Sequence, residues 1–158
     1  MSKDPIVIVG CSRTPMGAFQ GELKGFAAPE LGAAAIRAAV ERAKVRPEDV
    51  QEVLMGCVLP AGQGQAPARQ AMLAAGLAQS TGAVTLSKMC GSGMRAMMFA
   101  HDMLRAETAD VMVAGGMESM TNAPHLMFAR KGVRYGAAQL FDHMAVDGLE
   151  DALPVPTL

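Results

Sequence analysis

The chain has few aromatic residues, no excess of positive charge and no long hydrophobic run. Among its 158 residues there is no Trp and one Tyr, and the basic and acidic side chains nearly balance, which leaves a formal net charge of -1. A nucleic-acid binder is therefore disfavoured, because no cationic excess is available to displace counterions from phosphates. The uncharged stretches are interrupted by polar residues, Gly or Pro, so no membrane span is predicted.

Cysteine is also scarce, and its spacing excludes two common roles. Cys11, Cys57 and Cys90 form an odd set without a CxxC pair, which argues against a disulfide framework and against a zinc site. No secretory signal is predicted either, because the first apolar run, residues 6–9, is too short for one. These absences predict a protein of a reducing compartment, by default the cytoplasm, without a metal site.

The sequence is rich in short β-branched runs that alternate with longer Ala-rich segments. Hydrophobic residues make up 51% of the chain, and its length suits one folded domain or a large part of one. Strands are predicted at residues 6–9, 53–58, 83–86 and 111–114. Helices are predicted at residues 29–44, 67–76 and 91–106. This order predicts an α/β fold with a mixed β-sheet flanked by helices.

The strongest candidate for chemistry is Cys90, which stands between the third predicted strand and the third predicted helix. Unpaired N–H groups and the dipole at a helix N-terminus favour the thiolate, the nucleophilic form of cysteine. Gly91 and Gly93 leave room for a substrate, and the same N–H groups suit an oxyanion formed from a thioester carbonyl. The alternative for Cys90 is a small buried core residue. That role is predicted for Cys57, and Cys11 is predicted to be structural.

The sequence offers neither a nucleotide cradle nor an evident catalytic base. The segment after the first predicted strand is not GxGxxG, and no GxxxxGK[ST] occurs, so no nucleotide cofactor is predicted. His101 lies about three helical turns beyond Cys90, too far along the axis to reach its sulfur. His125 and His143 fall in predicted loops, where most histidines are solvated or structural. The candidate site therefore has a nucleophile and no general base.

Four segments occur in an order that is specific in combination. They are residues 13–21, Pro67-Ala68-Arg69-Gln70, Cys90-Gly91-Ser92-Gly93 and Gly115-Gly116-Met117-Glu118-Ser119-Met120. With these segments the chain resembles the amino-terminal half of a thiolase, the acetyl-CoA acetyltransferase family, from about residue 4 to Ala152. The resemblance implies one half of a thiolase-like αβαβα layered fold.

The resemblance also implies a reaction and makes Cys90 its catalytic residue. In thiolases the matching cysteine takes an acyl group from an acyl-CoA, and a deprotonated acetyl-CoA then attacks to release a 3-ketoacyl-CoA; thiolysis is the reverse. Coenzyme A thioesters are thus the implied substrates, with no cofactor, and the Cys90 N–H is implied in an oxyanion hole. A homo-oligomer or pairing with thiolase subunits is implied as well. The family's proton-handling histidine and second cysteine belong to its carboxy-terminal half, so this chain alone is expected to be inactive.

The resemblance divides the chain into three parts. Residues 1–121 correspond to the amino-terminal α/β half, residues 122–152 begin a loop region, and residues 153–158 form a tail that departs from the family. Because the two halves of a thiolase pack together, this half is expected to expose an apolar face of roughly several hundred Å2. Three alternatives stay open: a catalytically dead fragment or assembly module, a degradative 3-ketoacyl-CoA thiolase, and a ketosynthase relative.

Overall fold

The structure is a computed structural model that describes residues 6–133 and 135–153. Helices and strands alternate through its first part: α1 (Ala28–Ala43), β1 (Glu52–Gly56), α2 (Pro67–Ala74), β2 (Gly82–Leu86), α3 (Ser92–Arg105) and β3 (Met112–Gly116). Two short strands follow, β4 (His125–Leu126) and β5 (Phe141–Asp142). Short helical turns cover Pro47–Asp49, Met120–Asn122, Ala129–Lys131 and Ala145–Leu149. The six elements of the first part begin and end within about two residues of their predicted bounds.

Local chemistry explains where α1 begins and ends. Pro29 lies in its first turn, where a missing N–H costs no hydrogen bond. The Glu30 carboxylate accepts the Ala27 N–H at 2.7 Å, which satisfies a donor that the helix leaves unpaired. Lys44 then adopts a left-handed conformation and ends the helix. Within the described ranges, no helix is both long enough and apolar enough to cross a bilayer.

The sheet of the first part has three parallel strands in the order β2-β1-β3. The central strand begins with Glu52, which pairs with Gly82 of β2 on one side and with Met112 of β3 on the other. A helix connects each strand to the next, as parallel pairing requires. The predicted α/β fold with a helix-flanked sheet is confirmed. The short strands β4 and β5 pair antiparallel to each other in a separate ribbon.

Helices cover both faces of the three-stranded sheet. Val53 and Met55 of β1 are buried in one apolar cluster with α1 and α2, whereas Leu54 is buried in another with Ala96 and Ala100 of α3. Side chains that alternate along a strand point to opposite faces, so a single strand supplies both clusters.

Residues 6–9 were predicted to form the first strand, and this prediction is wrong for the described structure, in which no strand includes them. Val7, Ile8 and Val9 are instead 61–78% exposed. A β-branched run favours an extended conformation, but a strand also needs a neighbour for its backbone hydrogen bonds. In the part of the chain that the structure describes, the sheet ends at β2 and β3. The run is therefore an exposed apolar segment.

Candidate active site

Cys90 lies in the loop between β2 and α3, at the edge of the sheet where all three parallel strands end. In open α/β sheets this is the edge at which ligands usually bind. Cys90 is exposed, and α3 begins two residues later. Exposure at this position contradicts the alternative in which Cys90 is a packed core residue. Its role as a nucleophile stays a prediction.

The loop that carries Cys90 is closed by hydrogen bonds within residues 88–92. The Gly91 N–H donates to the Lys88 carbonyl at 3.1 Å, and the Ser92 N–H donates to the Met89 carbonyl at 3.0 Å. Met89 has a φ of 48°, an unfavourable region for a side chain without a short polar group. The Gly91 and Ser92 N–H groups are thus used inside the loop, which makes them poor candidates for binding an oxyanion. The resemblance implies the Cys90 N–H in that role.

Three glycines let the first turn of α3 sit directly on the ends of two strands. A β-carbon at Gly56, the last residue of β1, would stand 2.6 Å from the carbonyl carbon and the β-carbon of Ser92. A β-carbon at Gly116, the last residue of β3, would stand 3.3 Å from the Gly93 Cα. Side chains at these positions would push the helix away from the sheet. The glycines therefore fix the height of the Cys90 loop above the strand ends.

Glu118, to which no role was assigned from the sequence, organises the loop that follows β1. Its carboxylate accepts the Val58 N–H at 2.7 Å and the Leu59 N–H at 3.1 Å. The thiol of Cys57 donates to the same carboxylate at 3.4 Å. Glu118 belongs to one of the four motif segments, which was the available signal. Its partners lie about sixty residues earlier in the chain, so no local pattern identifies them.

Cys57 is buried, as predicted, and its environment opposes ionisation. Burial and then the negative charge of Glu118 raise the pKa of the Cys57 thiol to about 11. Both causes disfavour the thiolate, because it would be poorly solvated and close to a carboxylate. Cys57 is therefore a hydrogen-bond donor inside the fold. Cys11 is exposed.

The three histidines do not supply a base to Cys90 within the described residues. His101 lies on α3 with a partly exposed ring, and His125 begins the exposed end of β4. His143 is buried, with its Nδ1 2.6 Å from a carboxylate oxygen of Asp147. Its Nε2 accepts the Ala61 N–H at 3.3 Å, which requires the proton on Nδ1. Among the described hydrogen bonds, none joins a histidine ring to the Cys90 sulfur.

The outer face of α3, next to the Cys90 loop, is apolar and exposed. Met94 is 68% exposed, and Met97 and Met98 are about half exposed. Methionines at helical spacing are usually core residues, but here the helix buries its Ala residues against the sheet and turns these methionines outward. α3 therefore presents exposed methionines, and the area of the expected apolar face stays a prediction.

Comparison with known proteins adds a family match and three informative relatives. The model of the thiolase N-terminal domain matches residues 6–155. An acetyl-CoA acetyltransferase of Cupriavidus necator is 52% identical over 147 residues, and a probable acetyl-CoA acetyltransferase of Mycobacterium tuberculosis is 53% identical over 146 residues. A mitochondrial acetyl-CoA acetyltransferase of Xenopus tropicalis is 52% identical over 146 residues. Each match covers 92% of this chain but only 37%, 37% and 34% of the respective relative.

Proposed function

This chain belongs to the thiolase family, an enzyme family, and we propose that it carries the nucleophilic cysteine of an acyl transfer between coenzyme A thioesters. The Cys90 thiolate attacks the carbonyl carbon of an acyl-CoA, the bond from that carbon to the CoA sulfur breaks, and CoA takes up the proton that Cys90 lost. In condensation, a base takes a proton from the α-carbon of a second acetyl-CoA, this carbon attacks the acyl carbon, and the bond from the acyl carbon to the Cys90 sulfur breaks. Acetoacetyl-CoA forms, and Cys90 returns to its thiolate.

The observation that carries this proposal is the position of Cys90. It is exposed, it stands at the carboxyl ends of three parallel strands, and it precedes the first turn of an α-helix. The first turn of a helix carries partial positive charge, which suits the negatively charged oxygen that forms when a thioester carbonyl is attacked. The glycine contacts of α3 keep the Cys90 sulfur at the substrate-accessible edge. The other exposed cysteine, Cys11, precedes no helix start.

The missing base limits what this chain can do by itself. Condensation needs a group that removes a proton from acetyl-CoA. Among the described hydrogen bonds, none joins a histidine to Cys90, and the His143 ring is engaged by Ala61 and Asp147. Acyl transfer to an ionised thiol needs no such group. We therefore propose that the isolated chain takes up one acyl group on Cys90 and does not turn over.

Mass spectrometry after incubation with acetyl-CoA tests this proposal. We expect one acetyl adduct, mapped by peptide analysis to Cys90, in the unmodified chain and in Cys11→Ser, and none in Cys90→Ser. Cys11→Ser is the matched control, because Cys11 is the other exposed cysteine. An adduct divided equally between the two cysteines, or no adduct at all in a folded chain, would contradict the nucleophile assignment. Formation of acetoacetyl-CoA would contradict the predicted inactivity.

A second candidate function, an assembly module, is favoured by the exposed apolar surface. Residues 7–9 and the methionine face of α3 are uncovered in the described structure, and large exposed apolar patches often mark interfaces. In this case the chain pairs with itself or with thiolase subunits. Light scattering measures the molar mass of the purified chain, alone and mixed with an intact acetyl-CoA acetyltransferase. A chain that stays monomeric and does not bind the intact enzyme would exclude the assembly module.

Two finer points of the proposal concern substrate and location. We prefer acetyl groups to long acyl chains, because the similar proteins are named acetyl-CoA acetyltransferases. Faster acylation of Cys90 by a long-chain acyl-CoA than by acetyl-CoA would instead favour the degradative thiolase. We also propose the cytoplasm, on the free thiols of Cys11, Cys57 and Cys90. One relative is named mitochondrial, so cell fractionation decides this point.

A further inference from the structure

We propose that Ser92 is a positioning residue for Cys90, with its hydroxyl holding the 88–91 loop in the shape that keeps the Cys90 sulfur at the start of α3. This inference rests on the proposed function of Cys90 as the acyl acceptor. Ser92 is the first residue of α3 and is only 4% exposed. Its side chain therefore faces the protein, while Cys90, two residues earlier, faces solvent.

The hydroxyl of Ser92 joins two successive residues of the loop. It accepts the Lys88 N–H at 2.8 Å and donates to the Met89 carbonyl at 2.5 Å. Both the donor and the acceptor capacity of the hydroxyl are used. A side chain at the beginning of a helix usually accepts from an N–H inside the helix. Here the Ser92 hydroxyl instead ties the preceding loop to the helix.

The loop needs such a tie because its backbone is unfavourable without one. Met89, immediately before Cys90, is held at a φ of 48°. Left-handed backbone at such a residue persists only when the surrounding contacts enforce it. The Met89 carbonyl is the acceptor for both the hydroxyl and the N–H of Ser92. If the hydroxyl is removed, the Lys88 N–H loses its partner and Met89 keeps only one of its two bonds to Ser92.

The end of β1 packs directly against Ser92. The Gly56 backbone lies so close that a β-carbon there would approach the Ser92 β-carbon to 2.6 Å. Ser92 thus lies between the end of β1 and the Cys90 loop. Its contact with the sheet fixes the serine, and the hydrogen bonds of its hydroxyl fix the loop relative to the serine.

The test compares Ser92→Ala with Thr81→Val in the 158-residue chain. Ala keeps the β-carbon and suits a helix start, so the substitution removes only the hydroxyl. Thr81→Val also removes one buried hydroxyl, which donates to the Val50 carbonyl at 2.8 Å, but at the opposite end of β2. The readout is the rate of alkylation by iodoacetamide at Cys90 divided by the rate at Cys11, both mapped by mass spectrometry. Circular dichroism establishes that each variant is folded.

We expect Ser92→Ala to lower the Cys90-to-Cys11 rate ratio about fivefold, the effect of one net hydrogen bond. Thr81→Val is expected to leave the ratio unchanged although it destabilises the fold. An unchanged ratio in Ser92→Ala, or an equal loss in Thr81→Val, would overturn the inference.

The same samples separate this inference from the proposed function. If Cys90 takes no acetyl group from acetyl-CoA while the alkylation ratio still falls in Ser92→Ala, the proposed function is wrong and the positioning role stands. If Cys90 is acetylated equally fast in the unmodified chain and in folded Ser92→Ala, the proposed function stands and the positioning role is wrong.

Discussion

Gly56→Ala tests the close seating of α3 on the sheet. Gly56 ends the central strand, and a β-carbon there would stand 2.6 Å from the carbonyl carbon of Ser92 and 2.7 Å from the Gly93 nitrogen. Ordinary contacts between carbon atoms are about 3.5–4.0 Å, so the added methyl group overlaps α3 by about 1 Å. The atoms that it meets include backbone atoms, which cannot rotate away. The helix start has to move.

The expected cost follows from two opposing terms. Overpacking of a tightly packed site destabilises by about 1–3 kcal/mol. Replacing Gly by Ala reduces the conformational freedom of the unfolded chain, which offsets about 0.4–1 kcal/mol where the native conformation suits Ala. We therefore expect Gly56→Ala to lower the free energy of unfolding by about 1–2 kcal/mol. For a chain of this size, each kcal/mol corresponds to a Tm lower by about 2–4 °C.

Gly115→Ala is the matched control for this prediction. Gly115 lies in the neighbouring strand β3, and the nearest atom to an added β-carbon there is the Met55 sulfur at 3.4 Å, an ordinary contact with a flexible side chain. We expect a change within about 0.5 kcal/mol. Urea denaturation followed by circular dichroism measures both variants. If Gly56→Ala unfolds at the same urea concentration as Gly115→Ala and the unmodified chain, the close contact at Gly56 does not constrain the position of α3.

Two further predictions concern buried polar contacts. Because burial and Glu118 raise the pKa of Cys57 to about 11, the stabilisation from its protonated form is complete below the unfolded-state pKa and is lost as pH rises through 11. Glu118→Gln removes the charge and should move the onset of Cys57 alkylation to lower pH. Mass spectrometry of samples alkylated at a series of pH values measures this onset. An onset at the same pH in both proteins would contradict the role of the Glu118 charge. His143→Phe leaves the Ala61 N–H and the Asp147 carboxylate without their ring partner and should cost about 1–3 kcal/mol. An unaltered urea midpoint would show that these bonds contribute nothing.

The sequence predicted those features that depend on neighbouring residues. The bounds of α1 follow from Pro29 and from the end of the Ala-rich pattern, and both were visible in the sequence. The start of α3 follows from Gly91, Ser92 and Gly93, which also placed Cys90 correctly at a strand-to-helix junction. Hydrophobic periodicity acts over a few residues, and so do the Gly and Pro residues at the ends of helices and strands. These elements therefore form where the local pattern favours them.

Local sequence patterns did not predict the contacts between residues that are far apart in the chain. The run at residues 6–9 has the composition of a strand, but whether it pairs depends on a neighbouring strand elsewhere in the chain. His143 looked like a loop histidine, yet it is buried against Ala61, eighty-two residues earlier. Glu118 stood in a recognised segment, but its role became visible only when the Val58 and Leu59 N–H groups were seen to point at it.

The two faces of the sheet are packed unequally, and this explains why α3 depends on its close contact with Gly56 and Gly116. On one face, α1 and α2 share a broad cluster that includes large buried side chains such as Ile36 and Met72. On the other face, the fully buried cluster is smaller among the described residues, and Met103 of α3 packs against it while Met94, Met97 and Met98 point outward. Fewer fully buried side chains therefore orient α3. Its register on the sheet depends in addition on close backbone contact at its first turn, which is also where the candidate nucleophile is attached.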